Sequence, residues 1–291
     1  MTLWNPDAGS PARSRVVSLL PLVALGLVLL YAGFVVMVWW FQERIVFQPP
    51  SAPASTVGAH RANYRTSDGV DLFAYVVGEC TPATTAVLAF HGNADVARWL
   101  VPWANNLSHL TGACVVVPEY RGYDGTAGTP SYTASSLDAR AALAFVRDTL
   151  GVPAERTVFF GHSLGSAIAS ELTSAETPRA LVLQSPFSTI RAMAARIFLP
   201  GLSTAFTRIS RFHFDTLARV RSLASPVWVS HGDRDIIIPV RMGREVYAAA
   251  EHKGQLLIVH GAGHNDVPQL GGPNYWDWLS RAVRGETPPA P

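Results

Sequence analysis

The sequence predicts an α/β domain, a mostly parallel sheet with helices on both faces, behind one apolar N-terminal helix. Three observations predict it. Short apolar runs alternate with helical stretches from about residue 60 onward. Those runs lack the in–out alternation of a strand with one wet face, as strands buried on both sides should. Ahead of them, the 27 residues from Val16 to Gln42 contain no Asp, Glu, Lys or Arg.

Composition narrows the class. Of 291 residues, 48% are hydrophobic and 15% charged, against a typical charged fraction of ~25%. Disorder needs the opposite balance and is excluded as the whole answer. The net charge of +2 and the absence of a dense Lys/Arg patch argue against nucleic acid as a partner. Two cysteines, Cys80 and Cys114, exclude a disulfide-dense scaffold and lack metal-ligand spacing. They leave the redox compartment open, with Cys114 in a buried strand and Cys80 in a loop. Length alone suggests about two domains, but α/β folds of roughly 200–250 residues often form one.

The elements follow in order. Residues 1–15 form an N-terminal flank and 16–42 a transmembrane anchor. A span needs roughly 20 apolar residues, and Trp39, Trp40 and Phe41 close the run as an interfacial aromatic belt would. A cleaved signal peptide would have an apolar region of roughly 7–15 residues and a small-x-small site, neither of which fits. Arg13 and Arg15 precede the run and Arg44 follows it, so the positive-inside rule puts the N-terminus in the cytoplasm. The main domain is therefore expected on the non-cytoplasmic side of a single-pass membrane protein. Residues 43–60 are a Pro/Ser/Ala linker, 61–285 the folded domain, and 286–291 a Pro-rich tail.

Within the domain, Arg61–Thr66 and Val70–Val77 flank a Ser67-Asp68-Gly69 turn and read as a hairpin. Strands are expected at Ala86–Phe90, Cys114–Pro118, Thr157–Phe160, Ala180–Gln184, Val227–Ser230 and Leu256–Val259. Helices are expected near 97–110, 134–149, 164–174, 240–251 and 274–284. Function in such sheets collects at the carboxyl ends of the strands.

Chemistry stands at those ends. Thr157–Phe160 runs into Gly161-His162-Ser163-Leu164-Gly165 and then a helix. This is G-x-S-x-G between strand and helix, where a tight elbow excludes Cβ atoms at the glycines and exposes the serine Oγ. A serine nucleophile needs a base and an acid that orients the base, here in the chain order Ser…Asp…His. Asp233 and Asp235 follow one strand, and His260 and His264 follow the next. His264 is preferred to His260 because a Gly-rich loop lets it reach over the sheet edge. Asp235 is preferred to Asp233 because it lies further into its loop, while Asp233 suits a turn cap or a pair with Arg234. Oxyanion donors are expected from the backbone N–H groups of Leu164, after the nucleophile, and Asn93, in His91-Gly92-Asn93-Ala94. His91 precedes the serine and reads as a structural loop residue. No H-E-x-x-H or other compact metal signature is present, so neither a metal nor another cofactor is expected.

Together these motifs resemble the α/β-hydrolase superfamily over roughly residues 60–285. With Tyr120-Arg121-Gly122-Tyr123, Gly128-Thr129-Pro130-Ser131, Ser185-Pro186-Phe187 and the N-terminal anchor, the chain looks like a membrane-anchored hydrolase of the abhydrolase-domain type. The resemblance implies an eight-stranded, mostly parallel sheet. It implies Ser163, Asp235 and His264 as a catalytic triad, with Asn93 and Leu164 at the oxyanion hole. It implies a serine hydrolase acting on acyl esters or thioesters, lipids among them. The rival readings are a serine peptidase with the same triad and a catalytically silent membrane-anchored binding module. The haloalkane dehalogenase branch is disfavoured because it uses an Asp nucleophile where this chain has Ser163.

About forty residues, near 187–224, separate two strands, more than one helix and two loops require. They are expected to form a lid of one or two helices. Ile197, Phe198, Leu199, Leu202, Phe206, Ile209, Phe212 and Phe214 would face an acyl chain or the membrane. The plainer reading, that they only pack the insertion onto the core, stays open. Arg191, Arg196, Arg208 and Arg211 would meet lipid head groups or water. Oligomeric state is not legible.

Overall fold

The computed structural model describes residues 11–51, 58–196, 198 and 202–286. It divides the chain into two units, Met1–Ile45 and Val46–Pro291. The first is carried by helix α1 (Pro11–Val46). Its stretch Leu19–Val46, 28 residues of mean hydropathy 2.6, is long and apolar enough to cross a membrane. At ~1.5 Å per residue it is roughly 42 Å long, against a hydrocarbon core of ~30 Å. Leu20 and Leu30 turn outward, 62% and 73% exposed. The helix is longer at both ends than the expected 16–42. Pro11 needs no N–H bond in a first turn, and Glu43 and Arg44 continue the helical ladder.

The second unit opens with the hairpin β1 (His60–Arg65) and β2 (Asp71–Val77). Gly69 turns it at φ 86°, a conformation that costs a glycine little. Then come β3 (Ala86–Phe90), a 3-10 turn (Ala97–Leu100), α2 (Val101–Thr111) and β4 (Cys114–Pro118). Helix α3 (Tyr132–Ala144) is capped by Ser131 Oγ, which accepts from Ala134 N. It loosens into a wider turn at Phe145–Thr149, so the expected 134–149 helix is not uniform. After it come β5 (Thr157–His162), α4 (Leu164–Leu172) and β6 (Ala180–Gln184). The insertion holds α5 (Ile190–Ala194), α6 (Leu202–Ile209) and α7 (Thr216–Arg221). β7 (Val227–Gly232), α8 (Val240–Ala249), β8 (Lys253–Val259) and α9 (Val267–Arg284) complete the unit.

The eight strands form one sheet in the order β1-β2-β4-β3-β5-β6-β7-β8. β1, β2 and β4 pair antiparallel and the rest are parallel. Successive side chains go to opposite faces, and both faces are covered. Leu88, Phe159, Leu181 and Val229 join a core with α3, α4, α7 and α8. Val87, Phe160, Val182 and Trp228 join another with α2 and α9. Each such side chain fully removed from water contributes roughly 1.5–3 kcal/mol. This double burial is why the strands read as unbroken apolar runs.

Two further expectations change. Helix α9 starts at Val267, not near 274, because Pro268 sits in its first turn and the chain kinks at Gly272 (φ 48°, ψ −134°) before resuming. Among its described residues the insertion carries three short helices rather than one or two, the last capped by Asp215, whose Oδ1 accepts from Ala218 N at 2.9 Å. Phe198, Phe212 and Phe214 are buried. Phe214 stacks edge-on against Tyr132, with ring centres 4.8 Å apart, and Phe212 lies against Phe47. Those three aromatics belong to the core, whereas Ile209 is 58% exposed. Ile197 and Leu199, like residues 52–57 of the linker and 287–291 of the tail, lie outside the described residues, as do the side chains of Leu202 and Phe206. Cys80 and Cys114 form a disulfide with Cα atoms 5.0 Å apart. The β2–β4 register, Val77 opposite Val115, brings the loop after β2 over the first residue of β4.

Candidate active site

Ser163 sits at φ 54°, ψ −116°, between the end of β5 and the first residue of α4. A non-glycine residue in that region stores about 1–3 kcal/mol of strain. Packing enforces it. A Cβ on Gly161 would collide with the Gly165 carbonyl, and one on Gly165 with the carbonyls of Phe90 and His91. The serine N–H donates to Gln184 O at 3.0 Å, tying the elbow to β6.

The structure brings Ser163, His264 and Asp235 together. Ser163 Oγ lies 2.8 Å from His264 Nε2, and His264 Nδ1 lies 2.7 Å from Asp235 Oδ2. Asp235 is fixed by its own loop, where Oδ1 accepts from the N–H groups of Ile237 (2.9 Å) and Ile238 (2.8 Å). Burial opposes its ionisation, but hydrogen bonds from His231 and His264 outweigh that and hold its carboxyl well below the usual range. With Asp235 accepting at Nδ1, His264 presents a basic Nε2 to the serine. The arrangement can therefore move a proton from Oγ to an imidazole stabilised by a carboxylate.

The rejected candidates pair with each other elsewhere. His260 Nδ1 meets Asp233 Oδ2 at 2.8 Å on the surface, and Asp233 Oδ1 accepts from Gly261 N. His260 is 91% exposed.

Leu164 N–H is the first of α4, and Asn93 follows Gly92 at the end of β3. A Cβ on Gly92 would lie 3.5 Å from Ser163 Cβ, so the Asn93 loop closely borders the serine. The Asn93 side chain is turned away, its Oδ1 accepting from Gln48 N (2.8 Å) and Tyr123 OH (3.1 Å). Below it His91 is fully buried against Glu119, Nε2 to Oε1 at 2.8 Å. Burial disfavours the imidazolium, but Glu119 outweighs it and raises the His91 pKa. Glu119 also accepts from Tyr120 N and, through Oε2, from Ala97 N. Sequence reasoning missed Glu119, although an acid directly after a fully apolar strand was a visible signal. It also missed His162 and Ser185, which both bond the His264 carbonyl.

The comparisons agree with this architecture. A family model described as the alpha/beta hydrolase fold matches residues 85–214. An uncharacterized protein of Mycobacterium tuberculosis is 33% identical over 271 residues, covering 90% of this chain and 94% of that protein. Human alpha/beta hydrolase domain-containing protein 17B is 26% identical over 227 residues, covering 76% of this chain and 74% of its own length. Among solved structures, an esterase of Pyrococcus furiosus superposes with a TM-score of 0.66 at 19% identity, covering 81% of this chain and 98% of that one. That last likeness concerns the fold alone. The chain belongs to the α/β-hydrolase superfamily.

Proposed function

We propose that this protein is a serine hydrolase that cleaves acyl ester or thioester bonds. The observation that carries the reading is the unbroken relay from Ser163 Oγ through His264 to Asp235, at 2.8 and 2.7 Å. In the first step His264 Nε2 takes the Oγ proton as Oγ attacks the carbonyl carbon. The N–H groups of Asn93 and Leu164 hold the resulting oxyanion. Collapse breaks the C–O or C–S bond, and His264 gives its proton to the departing alcohol or thiol. Water then enters, loses a proton to His264, and its oxygen attacks the acyl-serine. His264 returns the proton to Oγ as the acid leaves. Asp235 keeps the imidazole in the required tautomer and stabilises its charged form.

Anchoring by α1 belongs to the same reading, with the hydrolase unit on the non-cytoplasmic side. The basic residues Arg13 and Arg15 before the span support that orientation. So does the Cys80–Cys114 disulfide, since such bonds persist in oxidising compartments.

The test uses full-length protein in neutral detergent, wild type beside Ser163→Ala, on p-nitrophenyl esters from acetate to palmitate. Wild-type turnover is expected to fall at least about 10³-fold in the variant. A fluorophosphonate probe should label only the wild type. Folded wild type that neither turns over esters nor takes the probe would overturn the reading and favour a silent binding module.

A further inference from the structure

A cleft of about 590 Å³ opens between the Ala97–Leu100 turn, α2 and the start of α9. It reaches His162 and Asn265, the chain neighbours of Ser163 and His264. Its walls include three indoles. Trp103 and Trp276 have ring centres 6.4 Å apart, and Trp99 is 51% exposed. The polar edges are fixed in a chain: Trp103 Nε1–H donates to Tyr275 Oη at 3.0 Å, which donates to Gln184 Oε1 at 2.7 Å. Among the described residues lining the cleft there is no Lys or Arg, and one carboxylate, Asp95. His162 is held neutral at ordinary pH, its imidazole pushed down to about 4 by burial and then by His264. Asp95 Oδ1 accepts from Val96 N at 2.8 Å. Burial, the largest influence on this carboxyl, raises its pKa.

Indole faces attract cations through the ring quadrupole, most strongly when desolvated. A lone carboxylate in a cleft walled by three indoles is complementary to a compact positive group, and a cation seated there would offset the desolvation of Asp95. Resting on the hydrolase reading above, we infer that this cleft binds an ammonium group carried by the alcohol portion of the substrate, held between the indoles and Asp95. The alcohol portion is assigned because it is the one that His264 must reach to protonate, and the cleft borders Asn265. The shared chemistry is the cation, which a quaternary head group or a primary amine could each supply.

Two measurements on full-length protein in neutral detergent test this. First, kcat/KM is compared for butyrylcholine and its uncharged isostere, 3,3-dimethylbutyl butyrate. The cationic ester should be preferred at least tenfold, and Asp95→Asn should shrink that ratio at least fivefold. Trp99→Leu, at an exposed position, should shrink it too and serves if Asp95→Asn does not fold. Second, tryptophan fluorescence of Ser163→Ala is titrated with tetramethylammonium and with methylammonium chloride, against sodium chloride. Saturable quenching that weakens with added Asp95→Asn is expected. Tighter binding of the first ion marks a quaternary group, and of the second a primary amine. Saturation by neither ion, or an ester ratio near one, would overturn the assignment. Saturable binding in a protein without Ser163-dependent turnover would sink the hydrolase reading and leave the cation site standing.

Discussion

The imidazole of His162, the residue before the nucleophile, holds the backbone of His264, Nε2 to carbonyl oxygen at 3.1 Å. Ser185, the residue after β6, reaches the same carbonyl with its Oγ at 3.3 Å. The proposed base is thus seated by groups at the ends of two other strands, and its reach to Ser163 does not depend on the Gly-rich loop alone.

His162 should impose an acid limit on stability. Its imidazole sits at about 4 when folded, against ~6.5 for a free histidine. A lowered histidine pKa means that the unfolded chain binds the proton first. The His162 contribution to stability is therefore constant above about 6.5 and falls as pH drops toward 4, by at most about 1.4 kcal/mol per unit. Between pH 7 and 4.5 the melting temperature of the wild type should fall relative to that of His162→Gln. Parallel curves would refute this. Asp235, also held low, adds a loss only at lower pH, below the ordinary carboxylate range.

Asp235 and Asp233 should separate cleanly. Asp235→Asn keeps an oxygen for Ile237 and Ile238 N–H but loses the charge facing His264, so kcat should fall about 10²–10⁴-fold. Asp233→Asn breaks only the solvent-screened pair with His260 on the surface, and should change kcat less than twofold. Steady-state kinetics on one p-nitrophenyl ester checks both, and equal losses would refute the assignment.

Glu119 should act as a positioning residue for the Asn93 loop. Glu119→Gln leaves one acceptor for its three donors, His91 Nε2, Tyr120 N and Ala97 N. The oxygen that serves His91 and Tyr120 can remain, but the Ala97 N–H would face an amide nitrogen, and a buried donor left unpaired costs about 1–3 kcal/mol. The variant should be destabilised, and its kcat should fall roughly tenfold, about 1.4 kcal/mol of barrier, with KM nearly unchanged. A fall in stability with kcat intact would reduce Glu119 to a structural part.

The disulfide closes a loop with a sequence separation of 34. Chain-entropy arguments put its worth at about 3–4 kcal/mol, so Cys80→Ser should lower the melting temperature to match treatment with reductant. In cells expressing the full chain, thiol alkylation before reduction should leave both cysteines unlabelled. Free thiols in intact cells would move the hydrolase unit to the cytoplasmic side.

Much of the site was legible because its residues are local signals at strand ends. The Gly161–Gly165 elbow, Asp235 and His264 each follow an apolar run, and strand order does not alter that. What was not legible depends on that order. The Cys80–Cys114 pair exists because β2 lies beside β4, and Glu119 meets His91 because β3 and β4 are neighbours. Neither adjacency is written in a linear pattern. Helix α9 was shortened in the reading because Pro268, Gly271, Gly272 and Pro273 look like a loop, whereas Pro268 fits a first helical turn and Gly272 absorbs the kink. The aromatic residues of the insertion carried a true apolar signal, but burial on a core and burial of a ligand look alike in one dimension.

The Ser163–His264 contact spans 101 positions. On a chain emerging from the ribosome, the strained serine elbow is made long before its base exists. On the proposed mechanism the nascent protein therefore carries a hydroxyl without its base, and competence arrives only when β8 and the loop after it dock. On the same mechanism, a chain cut short before residue 264 would keep most of its sheet yet lack the base, so reactivity waits on the loop that follows β8.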